Sequence, residues 1–581
     1  MEDRIRQQYE RWLENAAEDP DLKEELLRIG GEEEEIYDRF YRELEFGTGG
    51  LRGVIGAGEN RMNVYTVRRA TQGLADYLLE KYACAAVALS YDSRIKSELF
   101  AREAARVLAG NGIRAYLYPC LEPTPVLSFA VRELRCQAGI MVTASHNPSP
   151  YNGYKCYGAD GCQMTDHDAG AVTDHIRRVD LFTGVKTAAY EDAVADGRIL
   201  LIGEDVVSAF LDQVEKQQVT PGICRQAPLK VIYTPLNGTG NRPVREILRR
   251  IGVSQVEVVP EQEAPDGRFP TCPYPNPEIR QVFEKALDMA KVSRPDLLLA
   301  TDPDCDRVGI AVRKGNDYTL MTGNEVGCLL LNYLLSRRQE EGTLPDQPLV
   351  VKTIVTSNLA ARIAKKYGCR VAEVLTGFKY IGEQIGLLEK EGHPERYVFG
   401  FEESYGYLSG TYVRDKDGVV ASMLVCEMTA YYLSQGKTLL DVLEELYREH
   451  GYFRHSLMNK AFEGARGMED MQRLMSSLRE RPPESLAGRK VIRFADYLTS
   501  RETDTATGEV RQIRLPQSNV LSFSLEGGAG FIVRPSGTEP KIKAYLTAVA
   551  DGNSVNGKLA AEELTRRLQE EGERLLAAPR K

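Results

Sequence analysis

The sequence predicts an α/β protein built from several domains in tandem. Apolar strand-like runs alternate with helical patterns over most of the chain. Three of those runs, at 139–144, 297–300 and 397–400, break off into short polar loops rich in hydroxyl or carboxylate groups. The length, 581 residues, exceeds what one core organises and points to about four domains.

Composition narrows the class. Hydrophobic content of 43% and charged content of 27% describe a globular chain rather than a disordered one. A net charge of -10 argues against general attraction to nucleic acid or an anionic membrane, so an anionic substrate requires a local concentration of cations. The first residues are charged, without the apolar core of a signal peptide, and no apolar run reaches the ~18 residues of a membrane span. The 11 cysteines are scattered and form no paired Cys-x-x-Cys knuckles, which reads as reduced thiols in a cytoplasmic protein rather than a zinc ribbon.

Taken in order, Ile5, Tyr9, Trp12 and Leu13 recur at helical spacing, with Asp19-Pro20 expected to end the helix and a second acidic helix expected through Leu44. Trp12, the one tryptophan, reads as a packing anchor. The glycine-rich segment 46–53 offers close backbone approach to a ligand, and its Arg52 can grip a phosphate or carboxylate. It lacks the Lys-Ser/Thr ending of a P-loop. From 85 the alternation is strand 85–90, helix 98–109, strand 113–118, helix 125–134 and strand 139–144. A second unit starts with strand 229–233 and a helix near 244–251 and ends with strand 297–300. A third has helix 325–336, strand 349–353, a helix near 359–367 and strand 397–400. From about 452 the character changes to a charged helix at 468–481, a polar loop or hairpin tip at 503–512, and alternating strands such as 520–525 and 530–533, which reads as a smaller α+β domain.

Four segments carry the chemistry. In the first, a buried strand delivers Ser145 into a loop with His146 and an Asn-Pro break, and Asn152-Gly153-Tyr154-Lys155 brings a cation nearby. A serine on a rigid strand end beside basic groups can act as nucleophile or phosphate carrier. A Ser-His-Asp hydrolase is disfavoured, because neighbouring residues at a strand end point apart and the nucleophile-elbow glycines are missing. The second is Asp302-Pro303-Asp304-Cys305-Asp306-Arg307, whose alternate carboxylates offer hard oxygens on one side, a donor set suited to Mg²⁺. An EF-hand is excluded, since Arg307 stands at its glycine position and Arg313 at its closing glutamate. The third, Glu402-Glu403-Ser404 between glycines, can accept hydrogen bonds from sugar hydroxyls, although taken alone it reads more readily as a turn with two exposed acids; Arg414 and Lys416 follow. The fourth is Arg534-Pro535-Ser536-Gly537-Thr538-Glu539-Pro540-Lys541, which has the makings of a phosphate nest.

In this order the four segments resemble the α-D-phosphohexomutase superfamily, from about Phe46 to Tyr545. The resemblance implies four domains around a central cleft, three related α/β sandwich domains and a C-terminal α+β domain of the TATA-binding-protein-like class. The expected boundaries are 1–203, 204–320, 321–452 and 453–581. It implies that Ser145 is phosphorylated and that Asp302, Asp304 and Asp306 hold Mg²⁺ together with the Ser145 phosphate. Lys155 and His146 match basic residues beside the reactive phosphate, with Arg52 as a further catalytic candidate. Glu402 and Ser404 match sugar-hydroxyl contacts, and Arg534, Ser536, Gly537 and Thr538 match the site for the non-reacting phosphate. Thr376, Gly377 and Lys379 resemble a further sugar-side loop, and Arg307, Arg414 and Lys416 complete the substrate-binding set. Where the phosphomannomutase and phosphoglucosamine mutase branches carry a histidine, this chain has Tyr405-Gly406-Tyr407. Together with the segments 46–53 and 152–155, this is closer to a long-chain branch of bacterial phosphoglucomutases and animal phosphopentomutases. The implied activity is interconversion of glucose 1- and 6-phosphates, charged by glucose 1,6-bisphosphate. Pentose or mannose phosphates are alternative substrates, and a non-catalytic sugar-phosphate-binding protein is the alternative of another class.

Overall fold

The computed structural model describes residues 3–47, 49–462, 466–536 and 540–577. The chain divides into two compact units. One comprises Met1–Val326, Arg337–Leu349 and Gly377–Gly436; the other comprises Gly327–Ser336, Val350–Thr376 and Lys437–Lys581.

The first unit holds two mixed sheets. In one the strand order is Gly50–Val54, Tyr151–Gly158, Ala138–Val142, Ala86–Tyr91, Arg114–Leu117 and Ile199–Leu201. Its four inner and far strands run parallel, and Tyr151–Gly158 and Gly50–Val54 turn antiparallel at the near edge. Every residue of Ala138–Val142 is buried, as an unbroken apolar run in a covered sheet must be. The second sheet is ordered Asp317–Met321, Val308–Lys314, Leu297–Thr301, Lys230–Thr234 and Gln255–Val258. Leu297–Thr301 and Val308–Lys314 are antiparallel, so the acidic loop of 302–307 is the turn between them. A third turn joins the antiparallel strands Tyr397–Glu402 and Gly406–Leu408.

The second unit contains an eight-stranded sheet. Its path runs Tyr452–Ala461, Lys541–Ala550, Gly530–Pro535, Leu521–Leu525, Arg489–Asp496, Arg501–Asp504 and Val510–Gln512, with Ser485–Leu486 off Arg489–Asp496. All these pairings are antiparallel. Helices Gly467–Glu480 and Gly557–Ala577 contribute Leu474, Leu478 and Leu568 to a core shared with Phe523 and Phe531. The change of architecture after 452 and the hairpin at 503–512 are as the sequence indicates.

Two readings are corrected. Asp19-Pro20 does not close the first helix, which ends at Asn15. Asp19 caps the next one, accepting from the Asp21 N–H with Pro20 at its first position, where a missing N–H costs nothing. The acidic stretch through Leu44 is two helices, Pro20–Arg28 and Glu33–Phe40, separated at Gly30-Gly31. The glycine-rich segment is also partly strand: Gly50 sits where a Cβ would lie 2.2 Å from the Tyr154 carbonyl oxygen, so this glycine serves strand pairing. Trp12 is fully buried, edge-on to Phe40, Tyr65 and Phe182. All 11 cysteines are free thiols, and among the described residues no helix is long and apolar enough to cross a membrane.

Candidate active site

Ser145 lies three residues beyond the strand Ala138–Val142, at the carboxyl end where doubly wound sheets place ligands. Its backbone is left-handed, with φ of 50°, a conformation that costs a serine free energy and must be held by its surroundings. Cys305 and Tyr405, at the tips of the acidic and sugar-side turns, are left-handed as well, with φ of 51° and 66°. Each of these three loops, which the sequence singles out, thus carries one left-handed residue other than glycine.

The acidic turn is the hub. The Ser145 hydroxyl donates to Asp302 Oδ2 at 2.8 Å and lies 3.1 Å from His146 Nδ1. Asp302 Oδ1 accepts the backbone N–H groups of Asp306 and Arg307, which closes the turn. Asp304 Oδ2 accepts from Lys155 Nζ at 2.8 Å and from the Thr124 hydroxyl at 2.9 Å. Asp306 Oδ2 is 3.2 Å from Lys416 Nζ and 3.7 Å from Lys155 Nζ. Lys416 also pairs with Asp415, which accepts the Tyr157 hydroxyl. Arg307 is turned to Glu278 at 2.7 Å. Glycines let neighbouring backbone close over this turn: Gly418 donates to the Cys305 carbonyl, and at Gly238 a Cβ would lie 2.4 Å from Pro303 Cα. The Tyr405 carbonyl accepts from Val308 N–H, tying the sugar-side hairpin to the same turn.

The three aspartates are buried and can each present a carboxylate oxygen within 4.8 Å of the others. Among the described residues, Asp304 Oδ1 and Asp306 Oδ1 are buried without hydrogen-bond partners. Unsatisfied buried carboxylate oxygens are costly unless a cation takes them, and a cluster of hard oxygen donors fits a hard divalent ion. Electrostatics follow the geometry. Burial and the neighbouring Asp304 and Asp306 push the Asp302 carboxyl well up. Burial also opposes ionisation of Asp304, but Lys155 outweighs it and holds that carboxyl low. Burial disfavours the ammonium of Lys155 and of Lys416, yet the carboxylates around them raise both. Burial, with Arg307 and Arg52 nearby, drives His146 well below its ordinary value, so at neutral pH its imidazole is uncharged and Nδ1 can orient a hydroxyl.

Glu402 is buried with its carboxyl pushed up by burial, and its Oε1 accepts the Gly377 N–H at 2.8 Å. Ser404 is half-buried in the turn beside it. Arg52 reaches the serine loop from its edge strand, donating to Asn147 Oδ1 at 3.2 Å. Two cations are committed elsewhere. Arg414 is fully buried on Glu389 and the Thr411 and Val413 carbonyls. Lys379 pairs with Asp166 at 2.6 Å, beside the Tyr380 hydroxyl. In the second unit, Thr376 ends the segment Val350–Thr376, its hydroxyl buried without a hydrogen-bond partner among the described residues. Arg534 lies on the strand Gly530–Pro535, opposite Lys543, and the Ser536 N–H donates to the Lys541 carbonyl. Gly537 and Thr538 lie outside the described residues, as does Thr48 of the glycine-rich segment.

Sequence reasoning missed Thr124, Asp415, Asp92 and Arg94. The last two had a visible signal: Tyr91-Asp92-Ser93-Arg94 is, like the serine and acidic segments, an apolar strand breaking into charge.

Comparison with known proteins identifies the family of the chain. The chain matches the phosphoglucomutase/phosphomannomutase alpha/beta/alpha domain I over residues 43–182, domain II over 208–315 and domain III over 322–450. A curated phosphoglucomutase of Staphylococcus haemolyticus is 38% identical over 514 residues, covering 88% of this chain and 91% of that protein. One of Staphylococcus aureus strain USA300 is 37% identical over 516 residues, covering 87% and 90%. Among solved structures, pp63/parafusin, a phosphoglucomutase from Paramecium, aligns with a TM-score of 0.67 at 17% identity, covering 92% of this chain and 95% of that one. A phosphoglucomutase/phosphomannomutase family protein of Burkholderia thailandensis aligns at 0.64 and 18%, covering 92% and 97%; likenesses at this identity concern the fold. With three successive domain matches and curated relatives above one-third identity over most of the chain, the protein belongs to the phosphoglucomutase/phosphomannomutase family.

Proposed function

We propose that the protein is a phosphoglucomutase, interconverting glucose 1-phosphate and glucose 6-phosphate through a phosphorylated Ser145 and a bisphosphorylated sugar. The observation that carries the reading is the Ser145 hydroxyl 2.8 Å from Asp302, in a turn whose other carboxylates are gripped by Lys155 and Lys416. The curated relatives that cover most of the chain carry the same activity in their names. We assign domains 1–203, 204–320, 321–452 and 453–581, and a cytoplasmic setting in keeping with 11 free thiols.

Asp302, Asp304 and Asp306 would hold Mg²⁺ together with the Ser145 phosphate. Bound there, the ion supplies charge withdrawal from the phosphoryl group. Lys155 and Lys416 offset negative charge that builds as the phosphoryl group leaves Ser145, and neutral His146 orients the serine oxygen. The sugar hydroxyl that receives the phosphoryl group gives up its proton to a basic residue. The bisphosphorylated sugar then presents its other phosphate to Ser145, and glucose 1,6-bisphosphate charges the enzyme at the outset. Glu402 and Ser404 accept hydrogen bonds from sugar hydroxyls. Turnover of a panel of glucose, mannose and ribose 1-phosphates tests the assignment; glucose is expected to give the highest kcat/KM, and a preference for ribose would convert the reading to phosphopentomutase.

Two results are expected here. Glu402→Gln keeps size and the bond to Gly377 but loses charge-assisted acceptance, worth about 1.5–3 kcal/mol, so kcat/KM falls about 10- to 100-fold while Ser145 still takes phosphate from the bisphosphate. Equal kcat/KM for every sugar phosphate removes Glu402 from the sugar site. Arg534→Ala, at the proposed grip on the non-reacting phosphate, raises KM for the monophosphate and lowers kcat, because binding energy from a remote group also supports the chemical step. Steady-state kinetics with intact-mass measurement of the phosphoserine decides it, and wild-type values of both constants exclude Arg534 from phosphate binding.

A further inference from the structure

Arg94 follows the strand Ala86–Tyr91, the neighbour of the strand that leads to Ser145. Its side chain has no exposure, and a buried guanidinium persists only where its donors are taken up. They go to a single loop. Nη2 donates to the carbonyls of Ser145 and Asn147, and Nη1 donates to those of Pro148 and Tyr151, each at 3.0 Å. Four carbonyls spread over seven residues are thus gathered on one planar cation. The remaining nitrogen, Nε, lies 3.5 Å from Asp92 Oδ2.

Asp92 works on the same loop from the other side. Its Oδ1 accepts the Arg94 N–H and the Ser97 hydroxyl, and its Oδ2 accepts the Thr143 hydroxyl at 2.6 Å. Thr143 Oγ1 in turn accepts the Ser145 N–H at 2.8 Å. Ser145 is therefore held at both ends of its backbone, its N–H through Thr143 and Asp92 and its carbonyl by Arg94. This is the residue whose φ is 50°, and the two anchors fix the conformation that turns its Oγ to Asp302. The guanidinium is capped by the ring of Phe269, 5.0 Å away, from the domain that carries the acidic turn. Gly267 makes that approach possible, since a Cβ there would lie 2.4 Å from the Ile95 nitrogen.

We propose that Arg94 is a positioning residue for phosphoryl transfer. It holds Ser145 in its left-handed conformation, and the Phe269 stack sets the serine loop against the metal-loop domain. The proposal rests on the mutase reading for its kinetic consequence, but not for its structural one. Lysine keeps the charge but cannot span four carbonyls with a planar fork.

The test is Arg94→Lys, read in two ways. Misplacement of a nucleophile by about 1 Å typically costs about 10²-fold, so kcat is expected to fall by that factor while KM for glucose 1-phosphate stays within about threefold. Amide hydrogen exchange should accelerate for the peptide spanning 143–154 and stay unchanged in the remaining strands of the same sheet. This second arm needs no turnover, so failure of the mutase reading and failure of the proposal are distinguishable. Wild-type kcat overturns the proposal, as does acceleration spread over the whole sheet, which would make Arg94 a general structural residue. If Arg94→Lys does not fold, Phe269→Leu takes its place: a roughly threefold to tenfold loss in kcat at constant KM with the same local acceleration supports the proposal, and unchanged kcat with unchanged exchange overturns it.

Discussion

Ser145→Ala is expected to abolish mutase turnover, with a loss on the order of 10⁵-fold or more, and to leave the protein folded. The loss is large because the proposed reaction passes twice through this oxygen, and no neighbouring group replaces it: His146 is uncharged and committed to orienting it, and Lys155 and Lys416 are held as cations by carboxylates. The fold is spared because, among the described residues, the Ser145 side chain bonds only Asp302 and His146, while the left-handed backbone is anchored by groups outside the side chain. Alanine adopts φ of 50° at much the same cost as serine. Turnover of glucose 1-phosphate by protein free of wild-type enzyme, with a thermal melt alongside, checks both halves. Retained turnover removes the serine from the mechanism, and an unfolded variant removes the account of its loop.

The serine loop was legible because an unbroken apolar run has to be a covered strand, and such a strand can end only by delivering polar residues to a surface or a site. The same logic made the acidic turn legible, where Asp302, Asp304 and Asp306 follow Leu297–Thr301 directly. Tertiary partnerships were not legible. Lys416 reaches Asp306 across more than a hundred residues of chain, and its neighbour Arg414, equally basic and two positions away, is spent on Glu389. Spacing cannot separate two such cations, since each one's role is set by the carboxylate that the fold brings to it. Arg94 shows the same gap from the other side. A strand breaking into charge marks its position, but nothing local shows what it holds, because its four acceptors are backbone carbonyls, which any sequence supplies. The glycine-rich segment misled for a related reason: a glycine that admits a ligand and one that admits a neighbouring strand look alike, and Gly50 is of the second kind.

Asp302→Asn is expected to lower turnover by about 10³-fold or more and, in protein treated with a chelator, to raise the melting temperature. Both effects come from the same crowding. The three aspartates are buried, with a carboxylate oxygen from each within 4.8 Å. Unit charges ~4 Å apart repel by about 4 kcal/mol at an effective dielectric of ~20. Lys155 and Lys416 relieve Asp304 and Asp306 directly, but the hydrogen bonds of Asp302 go to backbone N–H groups and the serine hydroxyl, and among the described residues no cation forms a salt bridge with it. Its carboxyl is accordingly the one pushed up, by burial first and then by its two neighbours. A carboxyl with a raised folded pKa binds its proton more tightly folded than unfolded, so its stabilising contribution is lost as pH rises above the unfolded value of ~3.9, and neutral protein carries the cost. Asparagine cannot incur it. Its oxygen can still accept the Asp306 and Arg307 N–H groups, and its amide can donate to Ser145 Oγ, so the turn keeps its shape. A net relief of about 1 kcal/mol shifts a melting temperature by about 2–4 °C in a cooperative unit of ~150–250 residues. Turnover falls because the amide supplies neither the anionic oxygen that a divalent ion needs nor an acceptor for the serine proton. A chelator-treated variant that melts at or below the wild-type temperature would show that the aspartates do not strain the folded protein. Undiminished turnover would place the metal, and with it the phosphoryl chemistry, away from this turn.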